Sequence, residues 1–239
     1  MFSETARFYD IIYDQFRDYE GDATRVAELL QRLAPEAQLI LDVGCGTGRH
    51  AEALTLRHGY RVDGLDIQPG FVEIARGRCP DGRFVVGDMA DFDLGGRYDV
   101  IMCLFSSIGY VRTMKRLVSA ARCFRRHLSP GGIAMIEAWM TPDAFTPGKV
   151  FLLTAEEGDT KVSRMNSSMV RDGISILDFH YLVGTPEGVR HLRETHELAL
   201  FTDEEMRQGF RTAGLELVEY DPNGMTGRGL YTLRTGEGG

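Results

Sequence analysis

The chain of 239 residues is long enough for one large domain, or for one domain that carries an insertion. It has 27 Lys and Arg residues against 35 Asp and Glu residues, and this net charge of -8 argues against binding to nucleic acid or to an anionic membrane. Hydrophobic residues make up 43% of the chain and charged residues 26%, a globular balance that excludes long disordered stretches.

Cysteine and histidine usage favours a protein without disulfides or a bound metal. The four cysteines form no C-x-x-C pair, and we expect buried, reduced thiols in a cytoplasmic protein. His191 and His196 are five residues apart, which places them on opposite faces of a strand, and no other histidine spacing fits a metal site. Residues 1–7 lack the pattern of a signal peptide, and no apolar run approaches the roughly 20 residues of a membrane span.

Strand and helix patterns alternate along the first part of the chain. The predicted helices cover 20–33, 49–58, 70–78 and 113–128, and the predicted strands cover 39–43, 60–65, 84–86, 98–104 and 133–139, with a turn over 129–132. The strand over 98–104 is apolar throughout, as expected for a central strand that is buried on both faces. This alternation is typical of an α/β fold with a doubly wound, mostly parallel, Rossmann-like sheet.

The alternation stops after Pro142. Strand-like segments then cover 150–153, 162–170, 174–183 and 193–201, and turn residues such as Asp172 and Gly173 separate them. We therefore expect an antiparallel sheet of three or four strands, inserted after the fifth strand.

The parallel pattern resumes after the insertion. Residues 202–205 have the form of a capping box and predict a helix to about residue 213. Strands over 215–220 and 229–234 then complete a sheet of seven strands as a hairpin. These boundaries give a main domain of residues 1–149 and 201–239, with the antiparallel insertion over 150–200.

Four groups of residues follow four different predicted strands, and they should meet in one crevice. They are the glycine turn at 44–48, Asp66, Asp88 and the segment 105–107. Ligands of a doubly wound sheet bind outside the carboxyl ends of its strands, so this crevice is the predicted binding site.

The glycine turn has the pattern G-x-G-x-G, formed by Gly44, Gly46 and Gly48. A dinucleotide fingerprint would need a glycine where Arg49 stands, and the chain has no phosphate-binding P-loop motif. The glycines let a ligand approach the backbone closely, and the helix N-terminus behind them favours a carboxylate or another anion.

Two acidic residues end the next two strands. Asp66 follows Gly48 by eighteen residues, where its carboxylate can accept two hydrogen bonds from a ribose diol; a helix cap or a surface acid is the alternative. Asp88 and Met89 end the third strand, where an acceptor beside an apolar flank suits the amino group and ring face of adenine. A plain turn is the alternative for Asp88.

Taken together, these motifs resemble the class I S-adenosylmethionine-dependent methyltransferases. The resemblance rests on LDVGCGTG at 41–48, GLD at 64–66 and GDM at 87–89. It implies that the three glycines contact S-adenosylmethionine, that Asp66 and the adjacent Ile67 bind around the ribose, and that Asp88 and Met89 bind the adenine.

A narrower resemblance covers nearly the whole chain. The segments YDIIY at 9–13, DY at 18–19, FSSIGY at 105–110 and TGRGLY at 226–231 resemble bacterial N-methyltransferases that dimethylate nucleotide-linked (dTDP) amino sugars of macrolide pathways. Those enzymes carry an antiparallel insertion after the fifth strand that is used for dimerisation, so the resemblance implies a homodimer with a small-molecule substrate.

The narrower resemblance also implies roles for individual residues. Those given to the cofactor site are Tyr13, Tyr19 and Phe105, and those given to the substrate site are Tyr9, Ser106, Ser107, Trp139 and Arg228. Tyr110 is placed near the reacting amine, where some relatives carry His, and Arg228 is placed against a substrate phosphate.

Some alternatives stay open at these positions. Tyr110 and Trp139 are also consistent with core packing, and Arg228 with an ordinary surface cation. After the fifth strand this chain has EAWM at 137–140 where those relatives have EPWW, which changes the substrate wall and leaves another small amine or hydroxyl acceptor open. A non-catalytic adenosylmethionine-binding protein is a further alternative.

The expected reaction is an in-line displacement, in which a neutral amine attacks the sulfonium methyl group. Alignment of the reacting atoms supplies up to about 7–11 kcal/mol, so a strong base is optional. Tyr110 is the first candidate for orienting the amine, and Glu137 is a second candidate for accepting its proton or binding its cationic form.

Overall fold

The computed structural model describes residues 5–236 of the chain. Its helices are α1 (Ala6–Tyr13), α2 (Tyr19–Leu33), α3 (Arg49–His58), α4 (Pro69–Arg78), α5 (Met114–His127) and α6 (Asp203–Ala213), with a short 3₁₀ helix at Ser107–Val111. Its strands are β1 (Leu39–Val43), β2 (Arg61–Asp66), β3 (Phe84–Val86), β4 (Tyr98–Cys103), β5 (Leu128–Glu137), β6 (Val150–Glu157), β7 (Thr160–Arg171), β8 (Ile174–Thr185), β9 (Gly188–Ala199), β10 (Leu215–Asp221) and β11 (Leu230–Thr235).

Seven strands form one sheet in the order β10-β11-β5-β4-β1-β2-β3. The pairs from β5 to β3 are parallel, and β11 is antiparallel to both of its neighbours. The predicted doubly wound, mostly parallel sheet is confirmed. The turn predicted over 129–132 is wrong, because these residues form a bulge inside β5, where the register against β4 shifts and Gly131 has a φ of +80°.

Helices cover both faces of this sheet, because its central strands are apolar on both sides. On one face, Leu41 of β1 belongs to a buried cluster with Leu117 of α5 and Phe210 of α6. On the other face, Ile40 of β1 belongs to a second cluster with Leu30 of α2 and Leu54 of α3. Burial on both faces fixes the strands in place, so the loops at their carboxyl ends have defined positions.

The strands β6, β7, β8 and β9 form a separate antiparallel sheet, each paired with the next along the chain. The predicted insertion is confirmed, with four strands that are longer than the sequence pattern indicates. Helix α1, which the sequence analysis did not predict, packs Phe8 and Ile12 against Phe179 and Tyr181 of this sheet. The helix is therefore anchored to the second sheet.

Other features concern membrane spans and cysteines. Within residues 5–236, every helix is too short or too polar to span a membrane. The four cysteines are all buried free thiols, as the sequence analysis expects.

Candidate active site

A cavity of about 720 Å³ lies at the carboxyl ends of β1, β2, β3 and β4. Helix α1 and the strands of the second sheet form its opposite wall. The strand ends of the parallel sheet therefore face the antiparallel sheet across the cavity. The carboxyl ends of the strands are where a doubly wound sheet is expected to bind its ligand.

The cavity brings together most of the residues that the sequence analysis selects. Those that line it are Tyr9, Tyr13, Tyr19, Gly44, Gly46, Asp66, Ile67, Asp88, Met89, Phe105, Ser107, Tyr110, Trp139 and Arg228. Gly48, Ser106 and Glu137 are not part of its wall.

The three glycines of the turn have three different functions in the fold. Gly44, with a φ of +77°, passes so close to Ser107 that a Cβ atom would lie 2.7 Å from its hydroxyl oxygen. Gly48, with a φ of +81°, begins α3, and a Cβ atom there would lie 3.1 Å from that of Ala75 in α4. Only Gly46 has open space where a Cβ atom would stand, so its backbone is the most accessible of the three to a ligand.

Asp66 connects the end of β2 to this turn. Its Oδ2 accepts a hydrogen bond of 2.9 Å from the Gly46 amide, and its Oδ1 accepts one of 2.8 Å from the Gln68 amide. Burial raises the pKa of the carboxyl, and the backbone hydrogen bonds oppose this rise by stabilising the charged form. Each oxygen keeps a further lone pair, so the carboxylate can still accept from a diol.

Asp88 lies beside Met89 at the cavity wall, where it forms an ion pair with one guanidinium nitrogen of Arg116. Arg116 of α5 donates to both of its carboxylate oxygens, at 2.8 and 2.7 Å, and the Ala90 amide donates to Oδ1 at 2.9 Å. Partial burial acts to raise the pKa of Asp88, but these hydrogen bonds hold it below its ordinary value. Arg116 itself lines the cavity, and the sequence analysis did not identify it.

Aromatic rings form the wall between α1 and β4. The Tyr9 and Tyr13 rings stack at 4.2 Å, and the Tyr13 ring meets Phe105 edge-on at 5.5 Å. Phe105 and Ser106 both have positive φ angles, 51° and 62°, which are strained for residues with a side chain.

The carboxylate of Glu137 holds this strained segment in place. Its Oε2 accepts from the Phe105 amide at 2.7 Å, and its Oε1 accepts from the Thr226 hydroxyl at 2.6 Å. Ser106 is also buried, and its hydroxyl donates to the carbonyl oxygen of Ala138 at 2.6 Å. Glu137 is completely buried and does not line the cavity, and both of its carboxylate oxygens form these supporting contacts.

Arg228 is one of the cations that line the cavity. Its guanidinium lies 4.4 Å from the centre of the Trp139 ring and donates to the Ser106 hydroxyl at 3.1 Å. Burial lowers its pKa, and the charge of Glu137 partly opposes this. Within residues 5–236, no carboxylate forms a salt bridge with it, so its charge is available to an anion in the cavity.

Tyr110 also faces the cavity, from the 3₁₀ helix. Its hydroxyl is 2.8 Å from Nδ1 of His196, which belongs to β9 of the second sheet. Burial raises the pKa of Tyr110 well above its ordinary value, so the phenol is neutral at pH 7.

The comparisons with known proteins agree with this geometry. A family model described as a methyltransferase domain matches residues 40–132. The chain is 40% identical to a dTDP-3-amino-3,6-dideoxy-alpha-D-glucopyranose N,N-dimethyltransferase of Streptomyces fradiae, over 96% of this chain and 90% of that protein. It is 39% identical to a dTDP-4-amino-2,3,4,6-tetradeoxy-D-glucose N,N-dimethyltransferase of Saccharopolyspora spinosa, over 95% of this chain and 90% of that protein.

Solved structures give the same result. The crystal structure of DesVI from Streptomyces venezuelae matches with a TM-score of 0.91 and 34% identity, over 97% of this chain and 98% of that chain. The chain belongs to the family of S-adenosylmethionine-dependent sugar N,N-dimethyltransferases. A further match is S-adenosylmethionine-bound CalS10, an amino pentose methyltransferase from Micromonospora echinaspora, with a TM-score of 0.81, 33% identity and 92% coverage of both chains.

Asp42 and Arg17 are among the further charged residues of the cavity wall that the sequence analysis did not select. Asp42 of β1 lines it, and its Oδ2 has no hydrogen-bond partner within the described part of the chain. Arg17 lines it too, with Nη2 at 2.6 Å from Asp22 Oδ2 and the guanidinium 4.8 Å from the centre of the Phe105 ring. An acid inside the otherwise apolar strand LILDV is a usable sequence signal for Asp42, whereas no pattern marks Arg17.

The buried carboxyl of Asp42 should make the free energy of unfolding depend on pH. Burial raises its pKa to about 7, nearby Asp66 adds to the rise, and His50 opposes it. Because the ordinary value lies near 3.8, the folded state binds more protons than the unfolded state between these two pH values. The contribution of Asp42 to stability is therefore present in acid and is lost as the pH rises from about 4 to about 7.

We expect Asp42→Asn, which is neutral throughout, to remove this loss, so that the variant is more stable than the wild type at pH 8 by an amount on the order of 1–4 kcal/mol. Urea unfolding at a series of pH values measures it. Asp81→Asn, at an exposed aspartate, is the matched control and should keep the wild-type profile. An unchanged pH profile in Asp42→Asn would contradict this account of the buried carboxyl.

Proposed function

We propose that this enzyme transfers methyl groups from S-adenosylmethionine to the amino group of a dTDP-linked amino sugar. The two relatives named above carry such substrates in their names. The observation in the structure that carries the proposal is Arg228, a partly buried guanidinium in the cavity without a carboxylate partner in the described chain. A diphosphate is the part of such a substrate that needs this cation, because a protein with a net charge of -8 does not attract it by total charge.

The residues at the strand ends fit the cofactor. The exposed backbone at Gly46, the Asp66 carboxylate and the Asp88–Met89 pair suit an adenosine, with Asp66 on the ribose and Asp88 and Met89 at the adenine. Binding at Asp88 requires the adenine amino group to share its carboxylate with Arg116. Tyr13, Tyr19, Ile67 and Phe105 complete this side of the cavity.

The amino acid part of the cofactor carries an ammonium group, which needs a hydrogen-bond acceptor, and a carboxylate, which needs a cation. The unpartnered Oδ2 of Asp42 suits the ammonium group, and the guanidinium of Arg17 suits the carboxylate. Asp42 belongs to β1, and the Arg17 guanidinium lies between Asp22 and the Phe105 ring. When bound, the cofactor supplies a methyl group on a sulfonium, whose departure leaves a neutral thioether.

The chain's own residues place the acceptor amine. Arg228 holds the diphosphate, Tyr9, Ser107 and Trp139 form the sugar wall, and Tyr110 holds the amine for in-line attack. Ser106 acts through Arg228, to which it is hydrogen-bonded. Alignment of the reacting atoms supplies most of the rate enhancement, and the cap over the cavity excludes water from the reacting groups.

We assign the cofactor to the main domain, residues 1–149 and 201–239, and the cap to the insertion over 150–200. Phe151, Arg164 and Phe179 of the insertion line the cavity, which supports the capping role. The opposite face of the same sheet exposes Met165, which is 48% exposed, and Leu182, which is 53% exposed. Solvent-exposed apolar side chains on one face of a sheet favour an isologous contact, so we propose a homodimer through this face. The four buried free thiols support a reducing compartment, and we propose the cytoplasm.

Arg228 gives the test of the substrate. Arg228→Lys replaces a planar, bidentate group by a point charge, and Arg228→Ala removes the charge. We expect both variants to raise the Michaelis constant for the dTDP-amino sugar, and for Ala the rise should correspond to a loss of about 2–3 kcal/mol of binding free energy. Cofactor affinity should change by less than about twofold. Steady-state kinetics with the nucleotide-linked and the free amino sugar measures both effects.

The control for this test is Arg234→Ala in the same hairpin, at an exposed arginine outside the cavity, which should behave as the wild type. Equal use of the free sugar by the wild type, or an unchanged acceptor constant in Arg228→Ala, would contradict the nucleotide-sugar assignment. Another small metabolite would then be the better acceptor class.

The dimer is tested by placing charges on the exposed face. Met165→Asp with Leu182→Asp should convert a dimer into a monomer, because two carboxylates from each protomer would be buried without partners. Sedimentation velocity over a range of concentrations measures the oligomeric state, with Leu56→Asp on α3 as the control at an apolar residue that is 78% exposed and lies outside this face. A wild-type monomer at every concentration would overturn the proposal.

A further inference from the structure

We propose that His196 and Glu194 form a proton relay behind Tyr110, through which the proton of the acceptor amine leaves the reacting nitrogen. The proposal rests on the proposed function, because it assumes that the amine lies at Tyr110. It assigns a task to the insertion beyond capping, since both relay residues belong to β9.

The three side chains form a line that runs from the cavity into the protein. Tyr110 lines the cavity, and its hydroxyl is 2.8 Å from His196 Nδ1. His196 Nε2 is 3.5 Å from Glu194 Oε2. His196 is 1% exposed and Glu194 is 6% exposed, and neither belongs to the cavity wall. Tyr110 is therefore the only one of the three that can touch a substrate.

Glu194 determines which nitrogen of His196 carries the proton. A carboxylate at Nε2 favours the tautomer with the proton on Nε2, so Nδ1 is left as an acceptor. The Tyr110 hydroxyl then donates to Nδ1, and its oxygen lone pairs are directed away from the histidine. His196 and Glu194 thus leave the Tyr110 oxygen as a hydrogen-bond acceptor that faces the cavity. An N–H group of the amine needs such an acceptor.

Other groups around the histidine keep it neutral until the amine reacts. Burial lowers the pKa of His196, Arg164 of β7 lowers it further, and Glu194 opposes both effects. Phe179 of β8 packs on the imidazole at 4.9 Å, and Tyr181 of the same strand lies near Tyr110. Burial acts to raise the pKa of Glu194, but the nearby His196 and Thr5 hold it below its ordinary value.

Packing alone does not account for this pair. A buried acid beside a buried imidazole costs desolvation free energy that an apolar pair of the same volume avoids. Their neighbours Phe179, Tyr181 and Val183 on the inward face of this sheet are large apolar or aromatic side chains. The buried polar side chains Asn166 and Ser175 on the same face are neutral. A link to the reacting amine explains why ionisable groups occupy the positions of Glu194 and His196.

The chemical step balances. The lone pair of the amine nitrogen forms the new bond to the methyl carbon, and the electron pair of the broken carbon–sulfur bond stays on sulfur. The alkylated ammonium gives a proton to the Tyr110 oxygen as the Tyr110 proton passes to His196 Nδ1. The product is a neutral amine and an imidazolium opposite the Glu194 carboxylate, and the proton is later lost to solvent.

Steady-state kinetics of the enzyme tests the relay. In His196→Asn the side-chain amide can keep the hydrogen bond to Tyr110 but cannot take a proton. We expect kcat to fall by about 10- to 100-fold with little change in the Michaelis constants. In the wild type, kcat should fall at low pH as His196 becomes protonated, with a pKa below the ordinary value for histidine. This fall should be absent in His196→Asn.

Two further variants define the pathway. Tyr110→Phe should cost a similar factor, and the double variant Tyr110→Phe with His196→Asn should lose no more than either alone, because the histidine acts only through the tyrosine. His191→Asn, on the same strand but on its outward face, is the matched control and should keep the wild-type kcat. Unchanged kcat in His196→Asn, or losses that multiply in the double variant, would overturn the relay.

A spectroscopic measurement separates the relay from the proposed function and does not need turnover. In ¹⁵N-labelled wild type, long-range histidine spectra should show His196 as the Nε2–H tautomer with a pKa below 6.5. Glu194→Gln should lower that pKa further and reduce kcat, and it replaces His196→Asn as the kinetic test if that variant does not fold. A Nδ1–H tautomer would overturn the relay, whereas wild-type enzyme that shows the expected tautomer but methylates no dTDP-amino sugar would overturn only the proposed substrate.

Discussion

The Asp66 carboxylate is the contact on which the geometry of the cavity depends. It ends β2 and accepts from the Gly46 amide, while the amides of Gly44 and Cys45 donate to the carbonyl oxygen of Leu65 at 2.7 and 3.1 Å. The backbone of the turn is thus fixed by the neighbouring parallel strand before any ligand binds. A preformed turn with an anionic group beside it loses little further conformational entropy on binding, which favours affinity for an adenosine.

The opposite side of the cavity relies on strain that is held by buried polar contacts. Positive φ angles at Phe105 and Ser106 cost on the order of 1–2 kcal/mol each. Hydrogen bonds from Phe105 to Glu137 and from Ser106 to Ala138 offset this cost and aim the Phe105 ring at Tyr13. Glu137 therefore matters to the site although it does not reach the cavity.

The sequence predicts the parts of the site that depend on local order along the chain. The glycine turn, Asp66 and Asp88 each follow a buried strand, and parallel pairing brings strand ends to one edge, so their convergence can be predicted. The bulge at 129–132 was missed because a proline and two glycines have the composition of a turn, while register against β4 is a tertiary property. The direction of the Glu137 side chain likewise depends on contacts with Phe105 and Thr226, which no spacing reveals.

Contacts between distant segments escape prediction for the same reason. Tyr110 and His196 are 86 residues apart, and they meet only because the second sheet docks over the carboxyl ends of the first. Helix α1 is short and packs on the insertion, so its burial depends on a surface that is formed elsewhere in the chain.

The most direct test of the central claim is a calorimetric titration with S-adenosylhomocysteine. If Asp66 fixes the turn and binds the ribose, Asp66→Ala should weaken binding by about 1.5–3 kcal/mol, and exposed Asp81→Ala should not. Wild-type protein should bind S-adenosylhomocysteine and not NAD. Unchanged affinity in Asp66→Ala, or tighter binding of NAD than of S-adenosylhomocysteine, would contradict the account.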